Sequence, residues 1–267
     1  MNKDLETALE AARAGAATVR HYRDNVRITL GSKGLHDLVT NADVETEKVI
    51  LEYIKKEFPD DTILAEESSA SQKMTDGRIW IIDPIDGTTN FAHNFPVYCV
   101  SVGLWDKGKP KAAVVIEVNR NEEFTAAAGE GARLNGEPIR VSDCDDSHTA
   151  LLATGFPYND LSLLDDYLSL FRDLMQHVQG IRRPGAASYD LCCVAAGRFD
   201  GFFEYSLKAW DVAAAALIIQ EAGGVVTDWN GKQNWLFGQR IITGNKVIHN
   251  YLFSRITEHI QKVNREK

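Results

Sequence analysis

Asp83 and Asp86 stand three positions apart in the run Trp80-Ile81-Ile82-Asp83-Pro84-Ile85-Asp86-Gly87-Thr88-Thr89-Asn90-Phe91. An apolar strand that ends in two carboxylates offers oxygen donors to one spot, and such donors suit a hard cation such as Mg2+ rather than zinc. Pro84 stiffens the step between the two acids by fixing its own φ. Gly87, Thr88 and Thr89 read as a turn into a helix, where free N–H groups and the positive end of the dipole attract phosphate. Four further acids follow apolar or capping signals: Glu66 and Glu67 after Thr62–Ala65, Asp211 after Trp210, and Asp43 in Thr40-x-x-Asp43. Taken singly, these read as a solvated glutamate pair, a helix N-terminal acid favoured by the dipole, and part of a cap.

The elements that must carry these residues are legible as periodicity. Leu5, Leu9, Ala12, Ala16 and Val19 share one helical face. After a loop at Gly31-Ser32-Lys33-Gly34, a second helix is expected over Val44–Phe58, capped by Thr40 and stopped by Pro59. Strands are expected over Thr62–Ala65, Ile79–Ile82, Tyr98–Leu104, Ala112–Val118 and Glu123–Ala127, with Asn135-Gly136 as a tight hairpin turn. The polar run Ser142–Ser147 is the expected internal boundary, dividing a single unit of residues 1–267 into halves 1–145 and 146–267. Beyond it, strands at Leu151–Thr154, Gly180–Arg183, Gly201–Glu204 and Val225–Thr227 alternate with helices. Those helices are expected over Leu161–His177, Ser188–Ala196 and Val212–Glu221, with a last one from Lys246. Strands first and a mixed second half predict an α+β fold, helices layered on sheets.

Composition narrows the function classes. Of 267 residues, 29 are Lys or Arg and 38 are Asp or Glu, a formal charge of −9. That sign argues against nucleic acid or an anionic membrane as the main partner, and implies that a phosphate would be handled through a cation. The four cysteines form no C-x-x-C pair, which fits reduced thiols in a cytoplasmic protein, and Cys192-Cys193 and His93 read as packing or surface residues. The first ten residues carry four charges, leaving no secretory apolar stretch, and no run is long enough to span a bilayer.

Taken together, Ala65-Glu66-Glu67-Ser68, Trp80–Phe91 and Trp210-Asp211-Val212-Ala213-Ala214 … Glu221-Ala222-Gly223-Gly224 resemble the inositol monophosphatase family, in order and spacing and over essentially the whole chain. The resemblance implies a layered αβαβα sandwich, a homodimer, Mg2+ as cofactor and sensitivity to lithium. It implies that Glu66, Asp83 and the Ile85 carbonyl hold one ion, and that Asp83, Asp86 and Asp211 hold a second. Thr88, oriented by Asp43, would help Glu66 activate the attacking water. Asp86, Gly87 and Thr88 would bind phosphate, while Gly185, Ala187 and Glu204 would line the pocket for the alcohol. Lys33 would be a loop lysine near the water. Ala65 replaces a more usual glycine, and Leu207-Lys208-Ala209 and Thr154-Gly155-Phe156-Pro157 have a bacterial look.

The implied activity is Mg2+-dependent hydrolysis of a small phosphorylated polyol, foremost inositol monophosphate. Ester hydrolysis needs a nucleophilic water, a place for negative charge and a stabilised leaving oxygen, and two ions about 4 Å apart supply all three. Fructose 1,6-bisphosphate, histidinol phosphate or an adenosine bisphosphate would suit the same machinery. A regulatory protein that binds RNA or RNA polymerase is the alternative of another class.

Overall fold

The computed structural model describes residues 2–34, 37–69, 74 and 76–260, leaving the side chains of residues 32–37 aside. Lys33 therefore lies outside the described side chains. Helix α1 (Lys3–Asn25) is followed by a hairpin of β1 (Leu30–Gly34) and β2 (Asp37–Thr40), and then by α2 (Asn41–Glu57). The first half continues as β3 (Thr62–Ala65), β4 (Arg78–Asp86), α3 (Thr88–Ala92), β5 (Cys99–Asp106), β6 (Lys109–Glu117), β7 (Glu122–Ala127), β8 (Ala132–Leu134) and β9 (Glu137–Pro138). The second half runs β10 (Leu151–Thr154), α4 (Leu164–His177), β11 (Gly180–Arg182), α5 (Ala187–Ala195), β12 (Gly201–Tyr205), α6 (Ala209–Glu221), β13 (Val225–Thr227), β14 (Arg240–Gly244) and α7 (Lys246–His259).

Seven strands form one sheet in the order β3 to β9, antiparallel except for the parallel pair β3–β4. Five form a second sheet in the order β11-β10-β12-β14-β13. Strand β4 shows why the layers form. Trp80 and Ile82 belong to the core under α1 and α2, whereas Ile79 and Ile81 belong to the core around α5 and α6. A strand buried on both faces reads as a continuous apolar run, as this one does. Helix α6 is apolar all round because it is covered by both sheets, with Val212–Ile219 buried throughout. Helices α4 and α7 close the far face of the second sheet over Tyr167, Phe203 and Trp229. The result is the expected αβαβα sandwich. Sequence reading has no strand over Arg240–Gly244 and no hairpin over β1 and β2, and it starts α4 three residues early, where Asp160 caps a turn through the Ser162 N–H at 2.9 Å.

Candidate active site

The geometry begins with a β-bulge. On a regular strand, positions three apart face opposite sides. Here Asp83 pairs with Ser101 but Asp86 pairs with Cys99, so β4 carries one residue more than β5 between those pairs. That extra residue, beside Pro84, returns both acids to one side. Asp83 is buried, and its Oδ1 accepts the Ile85 N–H at 3.1 Å. Asp86 is held from the other side: its Oδ1 accepts the Ala187 N–H at 3.2 Å, and its Oδ2 takes the Ser188 N–H, so the N-terminus of α5 points at this carboxylate. Asp211 accepts the Lys208 N–H at 2.7 Å, and the Ser188 hydroxyl donates to its carbonyl at 2.9 Å, tying α5 to α6.

Asp43 is the buried end of a relay. The capping box is present, with Asp43 Oδ2 accepting from Thr40 N at 2.8 Å and Thr40 Oγ1 at 2.6 Å. Its other oxygen, Oδ1, accepts the Thr88 hydroxyl at 3.0 Å, which also lies 2.9 Å from the Ile85 carbonyl. Asp43 thus serves as a cap and as a partner of Thr88. Gly87, at φ 94°, opens α3 in a conformation that favours glycine, and a Cβ there would sit 3.0 Å from the Val97 carbonyl.

Electrostatics makes the cluster costly as it stands. Burial pushes Asp83 well above the usual carboxylate range, and the charges of Glu66, Asp86, Asp211 and Asp43 push the same way. Burial also raises Asp86, although the α5 amides pull it down, and it raises Asp211, with Asp86 adding to the effect. Among the described residues, no three His, Cys, Asp or Glu side chains stand closed on a common ion position. The fit of a cation rests on donor chemistry: carboxylate oxygens crowd together and repel one another, which bound divalent ions would reverse.

Glu66, Asp86, Thr88, Asp211 and Glu204 line one cavity of about 540 Å³, together with Gly87, Gly185 and Ala187. Asp83 and Asp43 stand outside that lining, as does Ile85. Glu204, buried on β12, is pushed up to about 8, mainly by burial, with Arg183 pulling it down and Asp86 adding to the rise. Three residues that sequence reading passes over also shape the site. Gly155 leaves room for the Glu204 carboxyl where it stands, because a Cβ there would sit 1.9 Å from Glu204 Oε1. The Asn90 side chain donates to the Val97 and Pro184 carbonyls at 2.8 and 3.0 Å, tying α3 to the loop before α5. Asp190 forms part of the cavity wall. Asn90 is the last but one residue of the quoted motif and could have been singled out; Gly155 lies in the quoted string Thr154-Gly155-Phe156-Pro157, whereas Asp190 carries no local signal. Cys192 and Cys193 are buried and His93 is exposed, in keeping with their packing and surface reading.

Comparison with known proteins agrees with this geometry. Residues 1–264 match the inositol monophosphatase family. A putative Nus factor SuhB of Neisseria meningitidis serogroup B is 43% identical over 97% of this chain and 100% of its own length. The Nus factor SuhB of Escherichia coli K12 is 41% identical over 92% of each chain. Among solved structures, the extragenic suppressor protein suhB of Bartonella henselae superposes with a TM-score of 0.90 at 36% identity, over 97% of this chain and 100% of that one. An inositol monophosphatase from Anabaena (Nostoc) gives 0.85 at 37% identity, over 96% of each chain.

Proposed function

Since the chain belongs to the inositol monophosphatase family, we propose that it is a Mg2+-dependent phosphomonoesterase acting on small polyol phosphates, inositol monophosphate foremost. The observation that carries this reading is the Asp43–Thr88–Ile85 relay beside an acid cluster that opens on the same cavity as Glu204. Glu66, Asp83 and the Ile85 carbonyl would hold one Mg2+, and Asp83, Asp86 and Asp211 a second. When bound, the ions supply charge stabilisation for the phosphoryl group and acidify an attacking water. Thr88 donates its one proton toward Asp43 and so presents lone pairs to an entering water. Glu66 is positioned as the acceptor of that water's proton. Gly87 and Thr88 face the phosphate, while Gly185, Ala187 and Glu204 face the alcohol.

Exposed Leu161, Leu168 and Met175 support assembly as a homodimer. Among the described residues no helix is long and apolar enough to cross a membrane, and with free thiols this supports a cytoplasmic location. A second reading rests on the relatives named Nus factor SuhB: a regulatory partner in transcription. With a charge of −9, the polymerase is favoured over bare RNA as its target.

Phosphate release from inositol 1-phosphate, fructose 1,6-bisphosphate, histidinol phosphate and an adenosine bisphosphate, ranked by kcat/KM in Mg2+, tests the assignment. Inositol 1-phosphate is expected to rank first. A folded wild-type chain that releases none of the four phosphates would leave the regulatory reading standing. Lithium is expected to inhibit uncompetitively.

A further inference from the structure

Glu66 follows the last residue of β3 and must turn at once into the cavity that it lines. The turn is tied at both ends. Ser69 Oγ accepts the Ala65 N–H at 2.9 Å, and the Ser69 N–H donates to the Ala65 carbonyl at 3.2 Å. The Glu66 N–H donates to the Ile82 carbonyl of β4 at 3.3 Å. The amide in the middle is held from another element: the Glu67 N–H donates to Glu47 Oε2 on α2 at 2.8 Å. Glu47 is only 2% exposed. A carboxylate buried that deeply needs a donor, and a hydrogen bond to an ionised acceptor is a strong one.

Glu47 stands four residues after Asp43 and so shares its helix face. One face of α2 therefore carries both the acceptor for the Thr88 hydroxyl and the acceptor for the Glu67 amide. The helix is firmly seated. Its Ile50 and Ile54 are buried in one core with Trp80 and Ile82, and a Cβ on Gly15 of α1 would meet Ile50 at 2.8 Å. Glu67 faces a different space from Glu66. With Glu47, Val44 and Leu51 it lines a separate groove of about 510 Å³. Glu47 thus grips the peptide group between two glutamates that point into two cavities. Turning that peptide would carry the Glu66 carboxyl with it.

We propose that Glu47 is a positioning residue, holding the Glu66–Glu67 peptide so that Glu66 keeps its carboxyl in the cavity for a metal ion. This rests on the phosphatase reading above. Glu47→Met keeps the length and removes the acceptor, whereas Glu47→Gln keeps an acceptor oxygen. In the metal-free chain, exchange of the Glu67 amide is expected to be faster in Glu47→Met and slowed again in Glu47→Gln, with α7 unchanged in both. Mn2+ suits the same oxygen donors as Mg2+, and its binding is read from the resonance signal of the free ion. Its Kd is expected to rise about ten-fold in Glu47→Met, as for other outer partners that orient a ligand, and Glu47→Gln is expected to recover most of the loss. In turnover of inositol 1-phosphate, the Mg2+ needed for half-maximal rate is expected to rise by a like factor, while kcat at saturating Mg2+ and KM change little. An unchanged Mn2+ affinity in Glu47→Met would overturn the proposal. So would a kcat that stays low at saturating Mg2+ with its half-saturation unchanged, which would make Glu47 a support of Asp43 instead. If the wild type hydrolyses no ester, the phosphatase reading fails, and amide exchange with Mn2+ binding decides the role of Glu47; a wild type that binds no Mn2+ overturns that role too. Should Glu47→Met fail to fold, Glu47→Ala carries the same comparisons.

Discussion

Asp83 and Asp86 face one side only because an extra residue interrupts the β4–β5 ladder, and the resulting crowding of buried acids sets up an exchange of stability for function. Asp83→Asn removes a buried, repelling charge. Without metal, its melting temperature is therefore expected to match or exceed that of the wild type. In Mg2+ the wild type is expected to gain stability that the variant does not, with kcat falling by several orders of magnitude. Melting curves in EDTA and in Mg2+ check this; equal Mg2+ stabilisation of both proteins would remove Asp83 from the ligand set. Thr88 and Asp43 share one hydrogen bond of 3.0 Å, so Thr88→Ala and Asp43→Asn are each expected to lower kcat by roughly 10²-fold, with the double variant barely worse than either. Multiplicative losses would reduce Asp43 to its capping role. Glu204 sets a pH dependence. Its folded-state value of about 8 lies above the ordinary 4.5. Between those values the folded chain keeps a proton that the unfolded chain has released. Stability is therefore lost as pH rises through this window and levels off above it. In chelator, Glu204→Gln is expected to lose less melting temperature than the wild type between pH 5.5 and 8; parallel slopes would contradict the assignment.

Among the elements, α6 carries Asp211 into the site, and its seat is a glycine. A Cβ on Gly103 of β5 would meet the Ala214 amide nitrogen at 3.1 Å and the Ala213 carbonyl carbon at 3.3 Å, both backbone atoms. Gly103→Ala must therefore lift α6. A loss of about 1–3 kcal/mol is expected, typical of overpacking, with weaker Mg2+ activation because Asp211 moves too. Denaturant melts and a Mg2+ titration check both effects, and unchanged activation would detach helix seating from metal affinity. Nothing in Val102-Gly103-Leu104 announces that contact, which joins residues more than a hundred positions apart. The same distinction governs what was legible. The capping box at Thr40, the turn at Asn135-Gly136 and the strand Thr62–Ala65 lie where local chemistry puts them, since each depends on neighbours in the chain. Strand β14 was missed because Arg240–Gly244 finds its place only between β12 and β13, partners set by the fold rather than by neighbours in the chain. The acids were legible as a set through their motifs, whereas the bulge, Gly155 and Asp190 depend on how distant segments meet.

For the whole molecule, the central core decides whether the two halves are separable. One apolar cluster runs from Ile81, Val115 and Phe124 in the first sheet, through Leu191 and Val212–Ile219, to Phe202, Val226 and Ile241 in the second. Helices α5 and α6 belong to the second half by sequence, yet they cover the inner face of the first sheet. Asp86 also depends on amides of α5. A chain cut at residue 145 would expose that sheet face to water and strip Asp86 of its donors. We therefore expect residues 1–267 to unfold as one cooperative unit, although chains of this length often unfold in parts. Tryptophans report on the regions separately: Trp80 lies under α1 and α2, and Trp229 lies in the outer core with α4 and α7. In variants retaining only one of these indoles, urea transitions followed by fluorescence should share a midpoint, and both should rise together in Mg2+. A Trp229 transition that precedes the Trp80 transition and ignores Mg2+ would show the outer layer opening independently of the site, and would divide the molecule into two folding units.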